Sequence, residues 1–280
     1  MSRITRFGSL IAILFCLMGC SPEKNQSSDQ NTSGLVHYAQ GFSISGKDIN
    51  NLKITVRNPW QHAQNVQFTY FLSDTIKSSY VKDQFTTYIK TPVKRVICLS
   101  TTHIGFIGSL QQEESVCGVS GKGYVVNNKI RKHISENRVF DVGYDENLNY
   151  ELILQLKPDL VFAYGVSVSV TNMIRKLTEL KIPVIMIGEY LEEKPLAKME
   201  WLKIFGACYG TWDKAVSKFD SAEIRYNSLS KQARQETNRP NVLLGLPWMG
   251  NWYVSGSQSY IARLINAAGG KYIWDHLNFN

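Results

Sequence analysis

The stretch Asn149-Tyr-Glu-Leu-Ile-Leu-Gln-Leu-Lys-Pro-Asp-Leu-Val-Phe-Ala-Tyr164 decides the fold class. Asn149 has the side chain of an N-cap, Tyr150–Leu156 is one short helix, and Pro158 stops it. Asp159–Tyr164 follows at once, too short for a helix and apolar on both faces. A strand of that kind belongs inside a parallel sheet covered on both sides. Helix, tight turn and buried strand together are one half of a βαβ unit.

The same grammar extends outward on both sides. Arg95–Ser100, Ser115–Val119 and Pro183–Ile187 are further short apolar strands. The connections between them are long enough for crossover helices, with His103–Gln111 and Val168–Leu180 as two of these. Residues 92–190 are expected to form an α/β lobe, doubly wound or flavodoxin-like. Beyond it, Leu196, Met199, Leu202 and Phe205 make one helical stripe. Thr211 then opens a long amphipathic helix whose apolar face is Val216, Phe219, Ala222, Tyr226, Leu229 and Ala233. It would be about 35 Å long at 1.5 Å per residue. This helical region spans 191–238. From 239 to 280 come a strand at Asn241–Leu246, a helix at Tyr260–Ala268 and a strand opening at Lys271–Trp274. So short a unit looks like the start of a second α/β lobe that is not completed.

Ahead of the lobe, residues 35–91 carry a different signal. Leu52, Ile54 and Val56 alternate with Lys53, Thr55 and Arg57, and Val66, Phe68 and Tyr70 repeat the pattern. The expected structure is an antiparallel meander appended as a β-rich extension. Residues 21–34 are polar and read as a flexible tether. Residues 1–20 run from Arg3 and Arg6 through an apolar core to Leu17-Met18-Gly19-Cys20. That core is too short for a membrane span, which needs about 20 residues, and has the layout of a secretory signal.

Composition narrows the function. The chain has 280 residues, 44% hydrophobic and 19% charged, with a formal net charge of +8 and no Lys/Arg block, which argues against nucleic-acid binding. Cys98, Cys117 and Cys208 are an odd number, not a disulfide framework, and read as buried free thiols. No G-x-S-x-G elbow, P-loop or G-x-G-x-x-G occurs, and the histidines have no metal-ligand spacing. Asp141, Asp145 and Glu146 fail the calcium-loop pattern and read as solvated acids at a turn. Nothing favours an enzyme, no cofactor is called for, and no resident metal is implied.

Four segments resemble the substrate-binding proteins of the cobalamin and ferric-siderophore class of ABC importers. They are Pro92–His103; Val142-Gly-Tyr144 with Asn149–Val161; Leu180–Ile185 with Pro195–Gly206; and Arg239–Val242 with Trp252–Gly256 and Ala267–Trp274. The resemblance implies a helical-backbone periplasmic binding protein: a Rossmann-like lobe, a long interlobe helix and, here, an incomplete second lobe, as in a truncated member with a half-built cleft. It implies a bulky chelate as ligand, a ferric siderophore or corrinoid ahead of haem, delivered to a membrane permease. Glu151 matches a permease-docking glutamate, and Asn266 falls near its counterpart on the second lobe. Tyr144 matches a ligand-facing aromatic. Trp248, Trp252 and Tyr253 crowd the loop after the Asn241–Leu246 strand and are either ring contacts for a ligand or packing. Thr102 and His103, at the end of the first strand, either donate to a ligand or cap the next helix. The ending at Cys20 resembles the bacterial lipobox, which implies a lipid on that cysteine and an extracytoplasmic domain held on a bacterial membrane, on its periplasmic side. The rival to ligand capture is a surface lipoprotein with a structural, protein-binding role, or a fragment without function.

Overall fold

The computed structural model describes residues 34–144, 147–166 and 168–277. The signal segment with Cys20, and the tether up to residue 33, lie outside the described residues. The first five strands, β1 (Phe42–Asp48), β2 (Asn51–Arg57), β3 (Gln67–Ser73), β4 (Tyr80–Asp83) and β5 (Thr86–Lys90), form one sheet in the order β1-β2-β3-β5-β4. Alternation along β2 buries Leu52, Ile54 and Val56 and leaves Lys53 and Arg57 exposed. The sheet differs from a meander in one respect: β5 runs parallel to β3, and β4 lies outside it on the edge. Alternation reports which face a side chain takes, and says nothing of strand order.

The second sheet is parallel throughout, in the order β10-β9-β6-β7-β8. Its strands are β6 (Val96–Cys98), β7 (Val116–Val119), β8 (Phe140–Asp141), β9 (Leu160–Ala163) and β10 (Val184–Met186). The crossovers are α1 (Thr101–Ser109), α2 (Asn128–Ser135), α3 (Tyr150–Leu156) and α4 (Val170–Glu179). Counted within the lobe the order is 5-4-1-2-3, so it is doubly wound in the Rossmann manner rather than flavodoxin-like. The strand order reverses between β6 and β9.

The deciding stretch folds as its residues dictate. The Asn149 Oδ1 accepts from the Leu152 N–H at 2.9 Å and caps α3. Lys157 turns the chain with φ 46°, and β9 follows with all four residues buried. The Asp159 carboxylate accepts from the backbone N–H groups of Lys94 and Arg95, at 2.8 and 2.9 Å, and so fixes the entry of β6 beside β9.

The two sheets share one apolar core. Tyr70 of β3 reaches across, and its Oη accepts from the Met186 N–H of edge strand β10 at 3.0 Å. The N-terminal sheet thus covers an edge that would otherwise present unpaired backbone. A strap over residues 37–41 adds a second tie. Glu200, fully buried, accepts from the N–H groups of His37, Tyr38 and Ala39, and Glu192 accepts from those of Gln40 and Gly41.

The helical region holds α5 (Pro195–Glu200), α6 (Leu202–Cys208) and the 24-residue α7 (Trp212–Gln235). Ala215, Phe219 and Ser230 of α7 are buried, but Leu229 of the expected stripe is exposed. Beyond α7, β11 (Asn241–Val242) pairs in parallel with β12 (Lys271–Tyr272), and α8 (Tyr260–Ala267) packs on them. The strand expected over Asn241–Leu246 stops at Val242. Gly245 has φ +74°, outside the extended region, and a bend there cannot continue a ladder. Cys98, Cys117 and Cys208 are free and buried. Among the described residues no helix is long and apolar enough to cross a membrane.

Candidate functional site

A cleft of about 850 Å³ opens at the carboxyl ends of β6, β7 and β9, where Leu99, Ser120 and Tyr164 leave the sheet. It lies where the strand order reverses, the position at which open α/β sheets leave a crevice. One wall is α4, which presents Val170, Met173 and Lys176, spaced so that they share a helix face. The opposite wall is the turn after β8, carrying Tyr144, Asn147 and Leu148, with Tyr150 beyond it.

Backbone geometry builds both walls. Gly143 has φ +76°, and a Cβ there would fall 2.2 Å from the Asn147 carbonyl oxygen, so only glycine makes this turn. The Asp141 carboxylate, read from sequence as a solvated acid, organises it. It accepts from the N–H groups of Gly121 and Gly143 at 3.1 Å and of Lys122 at 2.9 Å. At the end of β9, Gly165 lets α4 approach closely, because a Cβ there would sit 2.4 Å from the Val170 Cβ. The Tyr190 hydroxyl donates to the Gly165 carbonyl at 2.6 Å and braces the same turn.

The lining mixes apolar side chains with phenol, hydroxyl and amide groups, and Lys176 is the one charged residue among its described members. Burial raises the Tyr150 phenol above its ordinary pKa, so it remains a proton donor at neutral pH. Among the described residues no group of three or more His, Cys, Asp or Glu side chains is arranged to hold a metal ion.

Of the residues singled out from sequence, Tyr144 lines the cleft. Thr102 is outside its lining: its hydroxyl donates to Glu189 Oε1 at 2.6 Å, and the cap of α1 is Ser100. His103 is fully buried and its ring packs among Phe162, Tyr164 and Phe205. Burial pushes its imidazole down to about 3, with the Phe162 backbone opposing, so it stays neutral inside the core. Trp248, Trp252 and Tyr253 also lie outside the lining. Trp248 and Tyr253 are exposed, while the Trp252 indole donates to the Leu244 carbonyl at 3.2 Å and meets Trp274 edge-on. The structure therefore does not gather Tyr144 and this aromatic loop around one hollow. Glu151 is exposed in the first turn of α3. Asn266 lies on α8, its amide donating to Asp275 Oδ1 at 3.4 Å. The sequence reading passed over Tyr150 and Tyr164. The available signal was their position: one directly follows a buried strand, and the other opens the helix after the Tyr144 turn.

Comparison with known proteins bears on this geometry. The sequence profile of the family described as "Periplasmic binding protein" matches residues 96–278. An uncharacterized lipoprotein of Methanocaldococcus jannaschii is 27% identical over 99% of this chain and 74% of its own length. A second lipoprotein of that organism is 30% identical over 68% of this chain, which spans 50% of that relative. The crystal structure of a periplasmic binding protein from Veillonella parvula superposes with a TM-score of 0.56 at 12% identity, covering 82% of this chain and 68% of that one. An ABC-type Fe3+-hydroxamate transport system protein from Saccharomonospora viridis gives 0.50 at 17% identity, over 71% of each chain. At such identities the superpositions speak for the fold. With the profile covering well over half of the residues, the chain belongs to the periplasmic binding protein family, whose members bind solutes and are not enzymes.

Proposed function

We propose that the protein captures a bulky metal chelate in the cleft between α4 and the Tyr144 turn and delivers it to the permease of an ABC importer. The observation that carries this reading is the cleft itself: about 850 Å³, at the strand carboxyl ends, with aromatic and apolar walls. Concave, mostly apolar hollows of some 300–1,000 Å³ with a few polar groups are the usual form of a small-ligand site. A ferric siderophore or a corrinoid is the ligand class favoured here, and haem stays in the test panel because the lining tyrosines Tyr144 and Tyr150 carry phenols of the kind that ligate haem iron. The name of the Saccharomonospora viridis neighbour points to the siderophore.

In this reading Cys20 carries the lipid, and the domain works outside the cytoplasm on the periplasmic side of the membrane. Two acyl chains give stable anchoring where one does not. Glu151, exposed on α3, is the docking contact for the permease on the first lobe, and the α8 surface around Asn266 is the second.

The test is thermal unfolding of the protein with a panel of ferric siderophores, cyanocobalamin and haem. A true ligand at 100 times its Kd adds about 2.7 kcal/mol to stability. Absence of any shift across the panel, with calorimetry equally silent, would overturn the reading. Glu151→Arg is expected to leave chelate affinity intact while abolishing permease-dependent uptake.

A further inference from the structure

We propose that the cleft selects an electroneutral chelate and discriminates against polyanionic ones. This rests on the capture reading above and goes beyond it, because the lining itself sets the charge it can accept.

A buried anion needs a cation or several strong donors beside it; otherwise its desolvation is uncompensated. Planar guanidinium forks are the side chains best suited to carboxylate and catecholate oxygens. The described lining contains no arginine and one lysine, Lys176 on α4. On the same helix, Arg175 is paired with Glu179 at 3.2 Å.

What the lining does supply is neutral hydrogen bonding. Tyr144 and Tyr150 offer hydroxyl donors, and Asn147 and Asn172 offer amides, set among Leu99, Val170 and other apolar walls. A ferric tris-hydroxamate has three single negative charges against Fe3+ and is neutral overall. Its oxygens and peptide carbonyls accept from phenols and amides. A ferric tris-catecholate has six phenolate charges against the same ion and is a trianion. Placed here it would face one ammonium, leaving two charges without a partner. Cyanocobalamin, also neutral overall, satisfies the same condition through different chemistry.

The experiment is isothermal titration of the whole protein with ferrichrome, cyanocobalamin and ferric enterobactin at low and high sodium chloride. At least one neutral probe is expected to bind ~100-fold more tightly than ferric enterobactin, which corresponds to about 2.7 kcal/mol. Its Kd is expected to be insensitive to salt, since ionic screening acts only on charged partners. Tyr144→Phe and Tyr150→Phe each remove one donor and are expected to weaken the neutral probe by about 3–10-fold, with unchanged unfolding curves. Ferric enterobactin binding as tightly as the neutral probes, or a steep salt dependence for the best ligand, would overturn the charge selection and leave chelate capture standing. No loss of affinity in either phenylalanine variant would overturn the phenol-donor argument. Failure of all three probes and of haem would bring down the capture reading, and this inference with it.

Discussion

His103→Leu is a direct test of how the parallel-sheet lobe handles a buried titratable group. The ring is fully buried among Phe162, Tyr164 and Phe205, no side chain bonds either ring nitrogen, and the Phe162 backbone is the one polar group acting on it. Burial lowers its pKa to about 3, against an ordinary value of 6.5. In the unfolded chain the imidazole protonates as the pH falls below 6.5, whereas in the folded protein it stays neutral to about 3. A group whose folded pKa is depressed supports the fold above its unfolded pKa and loses that support as the pH falls. Each pH unit in that interval is worth about 1.4 kcal/mol, so by pH 4 the wild type loses about 3 kcal/mol through His103 alone. The leucine variant is of similar size and does not titrate. It should be as stable as the wild type at pH 8, or more so, because two poorly satisfied buried polar atoms are gone. Urea unfolding of both proteins at pH 8, 6, 5 and 4 reads the difference, and the carboxylates common to both cancel. The variant should gain on the wild type by about 3 kcal/mol between pH 8 and pH 4. Two curves that fall in parallel would refute the reasoning, because the imidazole would then be protonated equally in both states.

Three further outcomes follow from particular contacts. Glu200→Ala strips the fully buried Lys203 ammonium of its ion pair at 2.8 Å and frees the N–H groups of His37, Tyr38 and Ala39, at a cost of about 3–5 kcal/mol in urea unfolding. Burial alone would push the Glu200 carboxyl up, but Lys203 and those N–H groups overcome it and hold it below its ordinary value. Its contribution is therefore full at neutral pH and fades as the pH falls below the ordinary carboxylate range, so variant and wild type should converge in acid. Glu189 has the opposite sign: burial raises its carboxyl pKa, with the Thr102 hydroxyl and nearby N–H groups opposing, and Oε2 has no partner. Glu189→Gln should melt above the wild type at pH 8, with the gap closing at pH 4; a variant less stable at both would show that the carboxylate is stabilised as an anion. Gly165→Ala drives a methyl group into Val170 and should cost about 1–3 kcal/mol and lower chelate affinity, read by calorimetry, because α4 is a cleft wall.

The parts of this molecule that were legible in its sequence are those where local chemistry and tertiary placement coincide. Asn149, Pro158 and Asp159 each act within a few residues or at the mouth of the adjacent strand, so the helix, the stop and the buried β9 could be read directly. Tyr144 was reached through the family resemblance and not through local chemistry, because the strand before it, β8, is only two residues long and carries no period. The aromatic loop at 248–253 misled because a density of rings records surface to be covered, not the direction in which it faces. Trp252 spends its indole on the Leu244 carbonyl, and Trp248 and Tyr253 turn outward. Tyr164 is the first residue after β9, whereas His103 lies five residues beyond β6 in the first turn of α1, which rotates it inward onto Phe205. No period in the sequence could have shown the strap. Glu192 and Glu200 meet residues 37–41 across more than 150 positions, and their function is visible only once two elements are brought together. A carboxylate in a helical region reads as a solvated face until the N–H groups it must satisfy are known. For that reason a cleft defined by strand ends can be located from sequence, while the side chains that line it are known only once every element is in place.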